Sequence, residues 1–164
     1  QMKNKETSEI YAGKFSSIEI DQLSRDEIIN LSHEVNIMSG INHPSFLKFI
    51  GYSPYNYKNQ QKPIILTEFP SNLTLSKILQ LEREGHKIQS WDDTIKLINI
   101  YGIASGMKFL HSNQILHRDL NPESIFLDEH LFPKIGNFAF LTKNHTMQSM
   151  TYQSTAQIKG KETM

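Results

Sequence analysis

The sequence predicts an α+β fold, because strand-like runs and helical stretches are both present along its 164 residues. The strand signal is clearest at residues 63–69, PIILTEF, and in two short apolar runs around a polar turn between residues 125 and 136. The helical signal is clearest after Ser24 and Asp92, where capping residues precede apolar residues at helical spacing. A chain of this length is enough for one domain with a sizeable core.

Composition excludes several classes of function. The 17 lysines and arginines balance 17 aspartates and glutamates, so no net charge attracts nucleic acid or an anionic membrane. Cysteine is absent, which excludes disulfides and thiolate metal sites. His33 and Glu34 begin like a zinc motif, but Ile37 stands where the second histidine would be. Since no apolar run reaches 18 residues, we expect an intracellular, cytoplasmic protein without a membrane span.

The first half predicts strands around one helix. A strand-like patch from Glu9 to Ile20 surrounds Lys14, and Ser24 begins an S-x-x-E capping box. One apolar face of the helix that follows is formed by Ile28, Leu31, Val35 and Met38. Glu34 lies beside this stripe. Taken alone, a strand lysine and a helix glutamate are most simply solvated side chains.

The second half predicts two helices and a hairpin. A short helix follows Thr74, and a longer one, capped by residues 90–93, runs to about residue 111. The apolar residues of the longer helix are spread over much of its circumference, as in a core helix. Gly102 and Gly106, at G-x-x-x-G spacing, indicate close packing. From residue 142 the chain is polar and hydroxyl-rich, which predicts a mobile loop.

Residues 114–140, QILHRDLNPESIFLDEHLFPKIGNFAF, carry most of the functional information. The triplet His117-Arg118-Asp119 precedes the predicted hairpin, and Asn137-Phe138-Ala139 follows it. This segment resembles the catalytic loop and metal-binding hairpin of the eukaryotic protein kinases, whose signature joins H-R-D-L to a metal-binding Asn and a later D-F-G.

Further stretches resemble the same family in the same order. Residues 11–14, YAGK, stand where the third strand of the family carries V-A-I-K, and residues 43–52 resemble its H-P-x-I turn and fourth strand. The resemblance implies that Lys14 holds the α- and β-phosphates of ATP and that Glu34 anchors this lysine. It also implies an adenine site whose flanks, gatekeeper and hinge are Ala12, Phe126, Thr67, Glu68 and Phe69.

The resemblance makes Asp119 the catalytic base, braced by His117 and Arg118. Departures from the family pattern are Asn121 for the lysine beside the γ-phosphate, Ser124 and Asn137 for the two metal ligands, and Ala139 for glycine. Mg²⁺ prefers hard, anionic oxygen ligands, so ATP is the implied cofactor and its Mg²⁺ site is degraded. Losing much of the metal's stabilisation would slow transfer roughly a thousand-fold.

The prediction is therefore a two-lobed, protein-kinase-like α+β fold. Residues 1–69 would form the N-lobe from the end of strand 2 through the hinge, without the glycine-rich loop. Residues 70–164 would begin the C-lobe and stop in the activation segment, as expected of a partial domain. Pro122 and Glu123 resemble the Ser/Thr version of the loop, and by analogy alone the chain would fall within the tyrosine-kinase-like group.

Two functions stay open at this point. One is weak phosphoryl transfer from ATP to Ser/Thr hydroxyls of a protein substrate. The other is a catalytically inactive pseudokinase that binds nucleotide or acts as a scaffold for a protein partner. Basic residues are scattered rather than clustered, so no nucleic-acid partner is predicted.

Overall fold

The computed structural model describes residues 2–3, 7–70, 73–138 and 141–143. Its helices are α1 (Arg25–Gly40), α2 (Leu75–Arg83) and α3 (Asp93–Ser112). Its strands are β1 (Met2–Lys3), β2 (Ile10–Phe15), β3 (Phe49–Ser53), β4 (Ile64–Glu68), β5 (Ile115–Leu116), β6 (Ile125–Leu127), β7 (Pro133–Ile135) and β8 (Thr142–Lys143). Short 3₁₀ turns lie at Ile20–Gln22 and Pro122–Ser124. The predicted α+β class is confirmed.

Strands β1 to β4 form an antiparallel sheet in the order β1-β2-β4-β3. β2 pairs with β4 along the whole length of β4, which sets Ala12 opposite Thr67 and Lys14 opposite Ile65. β3 pairs with the other edge of β4. The ladder thus places the predicted lysine strand directly beside the predicted hinge strand.

Helix α1 begins at the predicted capping box. Ser24 Oγ accepts from the Glu27 backbone N–H, and the Glu27 carboxylate accepts from the Ser24 N–H at 2.8 Å. The predicted apolar face is confirmed at three of its four positions, because Met38 is buried and Leu31 and Val35 are partly buried against the core. Ile28, in the first turns, is 41% exposed.

Helices α2 and α3 also begin at side-chain caps. Thr74 Oγ1 accepts from Lys77 N at 3.3 Å, and Asp92 Oδ1 accepts from Ile95 N at 2.9 Å. Both caps satisfy backbone donors that a first helical turn leaves unpaired. The predicted starts of both helices are therefore confirmed.

Helix α3 is not enclosed all round, contrary to the core-helix prediction. Gly102 and Gly106 pack closely, since a Cβ on Gly106 would lie 2.9 Å from Ile135 Cδ1. One side of the helix nevertheless faces solvent, where Leu97, Ile100 and Tyr101 are 65–75% exposed. An even spread of apolar residues does not show whether every face has a partner. No helix in the described ranges is both long and apolar enough to cross a membrane.

The hairpin of β6 and β7 joins the sheet to α3. Ile135 N donates to Ser45 O at 2.6 Å, and Leu47 N donates to Ile135 O at 3.0 Å, so the segment after α1 runs along β7. A single buried cluster spans these elements; its members include Met38, Phe46, Leu47, Leu110, Ile135 and Phe138. The hairpin and its flanking loops are thereby packed between the segment that follows α1 and helix α3. Ala139 and the predicted mobile loop beyond residue 143 lie outside the described residues.

Candidate functional site

The structure brings Lys14 and Glu34 together. Lys14 Nζ, on β2, lies 2.6 Å from Glu34 Oε1, on α1. The Glu34 side chain is only 12% exposed, whereas that of Lys14 is 56% exposed. A nearly buried carboxylate therefore holds a lysine whose remaining ammonium protons face an accessible space.

That space is a cleft of about 310 Å³ between the sheet and the hairpin. Its size lies at the lower end of the range of roughly 300–1,000 Å³ usual for small-molecule sites. The side chains that line it are mainly apolar: Ala12, Met38, Leu47, Ile65, Thr67, Phe69, Pro70, Phe126 and Phe138, with Lys14, Glu34 and Asn137 as the charged or amide groups. An apolar slot with a few polar groups at one end suits a flat, heterocyclic ligand with an anionic tail.

The predicted hinge residues divide into two groups. Thr67 and Phe69 line the cleft, whereas Glu68 points elsewhere. Glu68 Oε1 lies 3.5 Å from Lys134 Nζ, so an ion pair joins β4 to β7. The Glu68 side chain thus takes no part in the cleft wall.

His117, at the start of the predicted catalytic loop, is buried and only 1% exposed. Its Nε2 lies 2.9 Å from Gly136 O. A carbonyl oxygen can only accept, so Nε2 carries the proton, and Nδ1 has no hydrogen-bond partner among the described residues. Burial lowers the pKa of His117, while the Gly136 carbonyl and the nearby Asp119 oppose that shift. The ring is therefore a neutral brace between the loop and the end of β7.

Asp119 lies between two side-chain amides. Asn137 Nδ2 donates to Asp119 Oδ2 at 2.7 Å, and Asn121 Nδ2 donates to Oδ1 at 3.1 Å. Arg118, the residue before, is exposed and has a left-handed backbone with φ 64°. Asn137 also has a left-handed backbone, with φ 57°, a conformation that asparagine tolerates better than most residues. Two of the four departures from the family pattern, Asn121 and Asn137, thus converge on the predicted base.

Ser124 is buried, and both of its hydroxyl bonds go to Asn121. Ser124 Oγ donates to Asn121 O at 2.8 Å and accepts from Asn121 N at 3.0 Å. Ser124 is 2% exposed and is not part of the cleft wall. Its hydroxyl therefore closes the 3₁₀ turn and has no free proton to rearrange toward a ligand.

The residues at the two metal positions do not fit Mg²⁺. The ion usually takes one or two carboxylates together with the phosphates of its nucleotide. Asn137 offers one neutral amide oxygen, the Ser124 hydroxyl is engaged, and Glu34 is neutralised by Lys14. No cluster of three or more His, Asp or Glu side chains suited to a metal ion occurs in the described part of the chain.

This arrangement of strand lysine, helix glutamate, loop aspartate and hairpin agrees with a comparison against protein families. The model described as the protein kinase domain matches residues 1–159. The chain belongs to the protein kinase family. Members of this family in general use ATP and Mg²⁺ and act on protein substrates, so the kinase-domain prediction is confirmed at that level.

Individual kinases resemble the chain at moderate identity. Serine/threonine-protein kinase polo of Drosophila melanogaster is 29% identical over 84% of this chain and 22% of its own length. Cysteine-rich receptor-like protein kinase 1 of Arabidopsis thaliana is 30% identical over 78% of this chain and 20% of its own length. Tyrosine-protein kinase receptor svh-2 of Caenorhabditis elegans is 32% identical over 74% of this chain and 10% of its own length. The chain spans about a fifth or less of the length of these relatives.

Several residues in the wall of the cleft or directly beside it were missed from the sequence. Met38, Leu47 and Phe138 belong both to the cleft wall and to the core cluster, and their apolar character alone marked them as core. Gly136 was also missed, although a Cβ there would lie 2.8 Å from Leu47 Cδ1 and 2.9 Å from the Phe126 ring. A glycine directly after a buried strand was the one available signal of such close approach.

Proposed function

We propose that this kinase domain binds ATP in the cleft and transfers its γ-phosphoryl group only weakly to Ser/Thr hydroxyls of a protein substrate. The observation that carries the proposal is the 2.6 Å Lys14–Glu34 pair in the wall of an apolar cleft. Adenine would lie between Ala12 and Phe126, alongside Thr67 and Phe69. We further propose that the domain works inside the cell.

The residues present would share the chemistry as follows. ATP supplies the phosphoryl group. Lys14 would donate to phosphate oxygens while Glu34 keeps its ammonium group aimed into the cleft. Asp119 would take the proton of the attacking hydroxyl, since each of its oxygens has a second acceptor position beyond the one taken by an amide. His117, through Gly136, would hold the loop in place.

Weak rather than rapid transfer is proposed because the charge of the metal site is missing. Metal stabilisation is worth several kcal/mol, which corresponds to roughly a thousand-fold in rate. Asn121 also replaces a cation beside the transferred group. The second candidate function is a pseudokinase that binds nucleotide or a protein partner without turnover, and the internal hydrogen bonds of Ser124 and Asn137 favour it.

The experiment that tests the proposal restores the family residues. Transfer of labelled γ-phosphate to Ser/Thr peptides would be compared between the natural protein and the triple variant Asn121→Lys/Ser124→Asn/Asn137→Asp. We expect slow, Asp119-dependent transfer by the natural protein and a gain on the order of a thousand-fold in the triple variant.

The matched control adds Asp119→Asn to the triple variant, which should abolish the gain. ATP binding without any transfer by the natural protein would replace the weak-kinase proposal with the pseudokinase. Failure of the folded protein to bind ATP would overturn both nucleotide-based functions and leave a scaffold.

A further inference from the structure

We propose that Asn121 and Asn137 form an amide clamp on Asp119, which orients the carboxylate without a metal ion. By the amide clamp we mean the two side-chain hydrogen bonds from Asn121 Nδ2 and Asn137 Nδ2 to the two oxygens of Asp119. The inference rests on the proposed function in one respect only, namely that the Asp119 carboxylate acts as the base. The clamp itself is a property of the protein without nucleotide.

The orientation of the Asn121 amide is fixed by the backbone. Its Oδ1 accepts from Glu123 N at 2.9 Å and from Ser124 N at 3.0 Å, which caps the 3₁₀ turn. The opposite end of the amide must then be Nδ2, and it donates to both Asp119 Oδ1 and Asp119 O. Asn121 therefore serves as turn cap and as carboxylate holder at the same time.

The orientation of the Asn137 amide is fixed by Asp119 itself. With the amide reversed, two oxygens would face each other at 2.7 Å, whereas the observed orientation sets a donor against a carboxylate oxygen. Asn137 has a left-handed backbone, with φ 57°, and its amide reaches the loop at Asp119. An aspartate here would place two carboxylates in contact, an arrangement that needs a cation between them or a proton.

The clamp thus predicts that the identity of residue 137 decides whether the domain responds to a divalent cation. The natural protein should have the same melting temperature in EDTA and in Mg²⁺ when no nucleotide is present. Asn137→Asp should lower the melting temperature in EDTA by roughly 3–6 °C. Addition of Mg²⁺ should restore much of that loss, because the paired carboxylates of the variant form a hard oxygen site.

A charge-matched control is available within the chain. Asn59 lies in an exposed loop and has nearly the same φ as Asn137, 58° against 57°. Asn59→Asp adds the same charge at a residue with the same left-handed φ but far along the chain from Asp119. We expect it to change the melting temperature little and to leave it insensitive to Mg²⁺.

A swap of the two partners gives the sharpest test of the contact. Asp119→Asn/Asn137→Asp exchanges donor and acceptor while keeping one amide and one carboxylate at the 2.7 Å contact. The swap should recover the melting temperature of the natural protein in EDTA and lose the Mg²⁺ response of Asn137→Asp. If Asn137→Asp does not fold in EDTA, recovery of folding by the swap supports the clamp in the same way.

Three results would overturn the clamp. They are a Mg²⁺-dependent rise in melting temperature of the natural protein without nucleotide, equal stability of Asn137→Asp and Asn59→Asp in EDTA, and a swap variant no better than Asn137→Asp. None of these measurements contains ATP. Failure of ATP binding would therefore count against the proposed function alone, and failure of the swap against the clamp alone.

Discussion

Replacement of Lys14 by methionine separates ligand binding from folding at the cleft. Lys14→Met keeps most of the apolar stem and removes the ammonium group that pairs with Glu34 at 2.6 Å. Because Lys14 is 56% exposed, solvent screens the pair, but the 12%-exposed Glu34 carboxylate would lose its partner, so we expect a loss of about 1–3 kcal/mol of folding free energy. A lost charge-assisted bond to phosphate is larger, about 1.5–3 kcal/mol, or roughly 10- to 150-fold in ATP affinity.

The assay is calorimetric titration of ATP into the natural protein and Lys14→Met, with thermal unfolding of both. Lys96→Met is the matched control, because Lys96 forms an ion pair with Glu82 between α3 and α2, away from the cleft wall. We expect a loss of stability in both variants, larger in Lys14→Met because Glu34 is less exposed than Glu82, and a large loss of ATP affinity only in Lys14→Met. Equal ATP affinity in the two variants would refute the role of Lys14.

Two further substitutions test the support of the site. Gly106→Ala should lower the free energy of unfolding by about 1–3 kcal/mol in denaturant titration, since the new Cβ would lie 2.9 Å from Ile135 Cδ1. Gly40→Ala, with no atom within 4 Å of its Cβ, should be neutral or stabilising, and equal effects would contradict this packing. The pKa of His117 is lower in the folded than in the unfolded state, so the unfolded state binds a proton more readily and stability falls as the pH drops below about 6.5. His117→Phe should reduce this loss of stability at low pH. An unchanged slope of stability against pH in His117→Phe would show that the buried ring is not the group responsible.

Elements with local signals were predictable from the sequence. Ser24, Thr74 and Asp92 each marked the start of a helix, since a side-chain oxygen that satisfies a first-turn N–H leaves a short-range pattern. The β6–β7 hairpin was predictable for the same reason, because its two apolar runs flank one polar turn. Even the Lys14–Glu34 contact followed from the order of motifs in a family whose members share one fold.

The directions of individual side-chain hydrogen bonds and the exposure of individual helix faces were not predictable. The motif positions of Ser124 and Asn137 indicated metal ligands, whereas the structure directs both toward other groups of the loop. Hydrogen-bond direction depends on backbone angles such as φ 57° at Asn137, which the sequence does not give. Exposure of Leu97 and Tyr101 on α3 was missed because periodicity shows which face is apolar but not what covers it. The division at residues 69 and 70, and the roles of the site residues, stay predictions.

The measurement that tests the central claim most directly is the dissociation constant of ATP for the natural protein in EDTA and in Mg²⁺. The claim is that Lys14 and the apolar walls hold the nucleotide, while Asn137 and Ser124 add no metal site. We therefore predict saturable one-to-one binding with dissociation constants within about threefold of each other, a difference of less than 1 kcal/mol. Binding that strengthens tenfold or more with Mg²⁺, or no binding to the folded protein, would contradict the account.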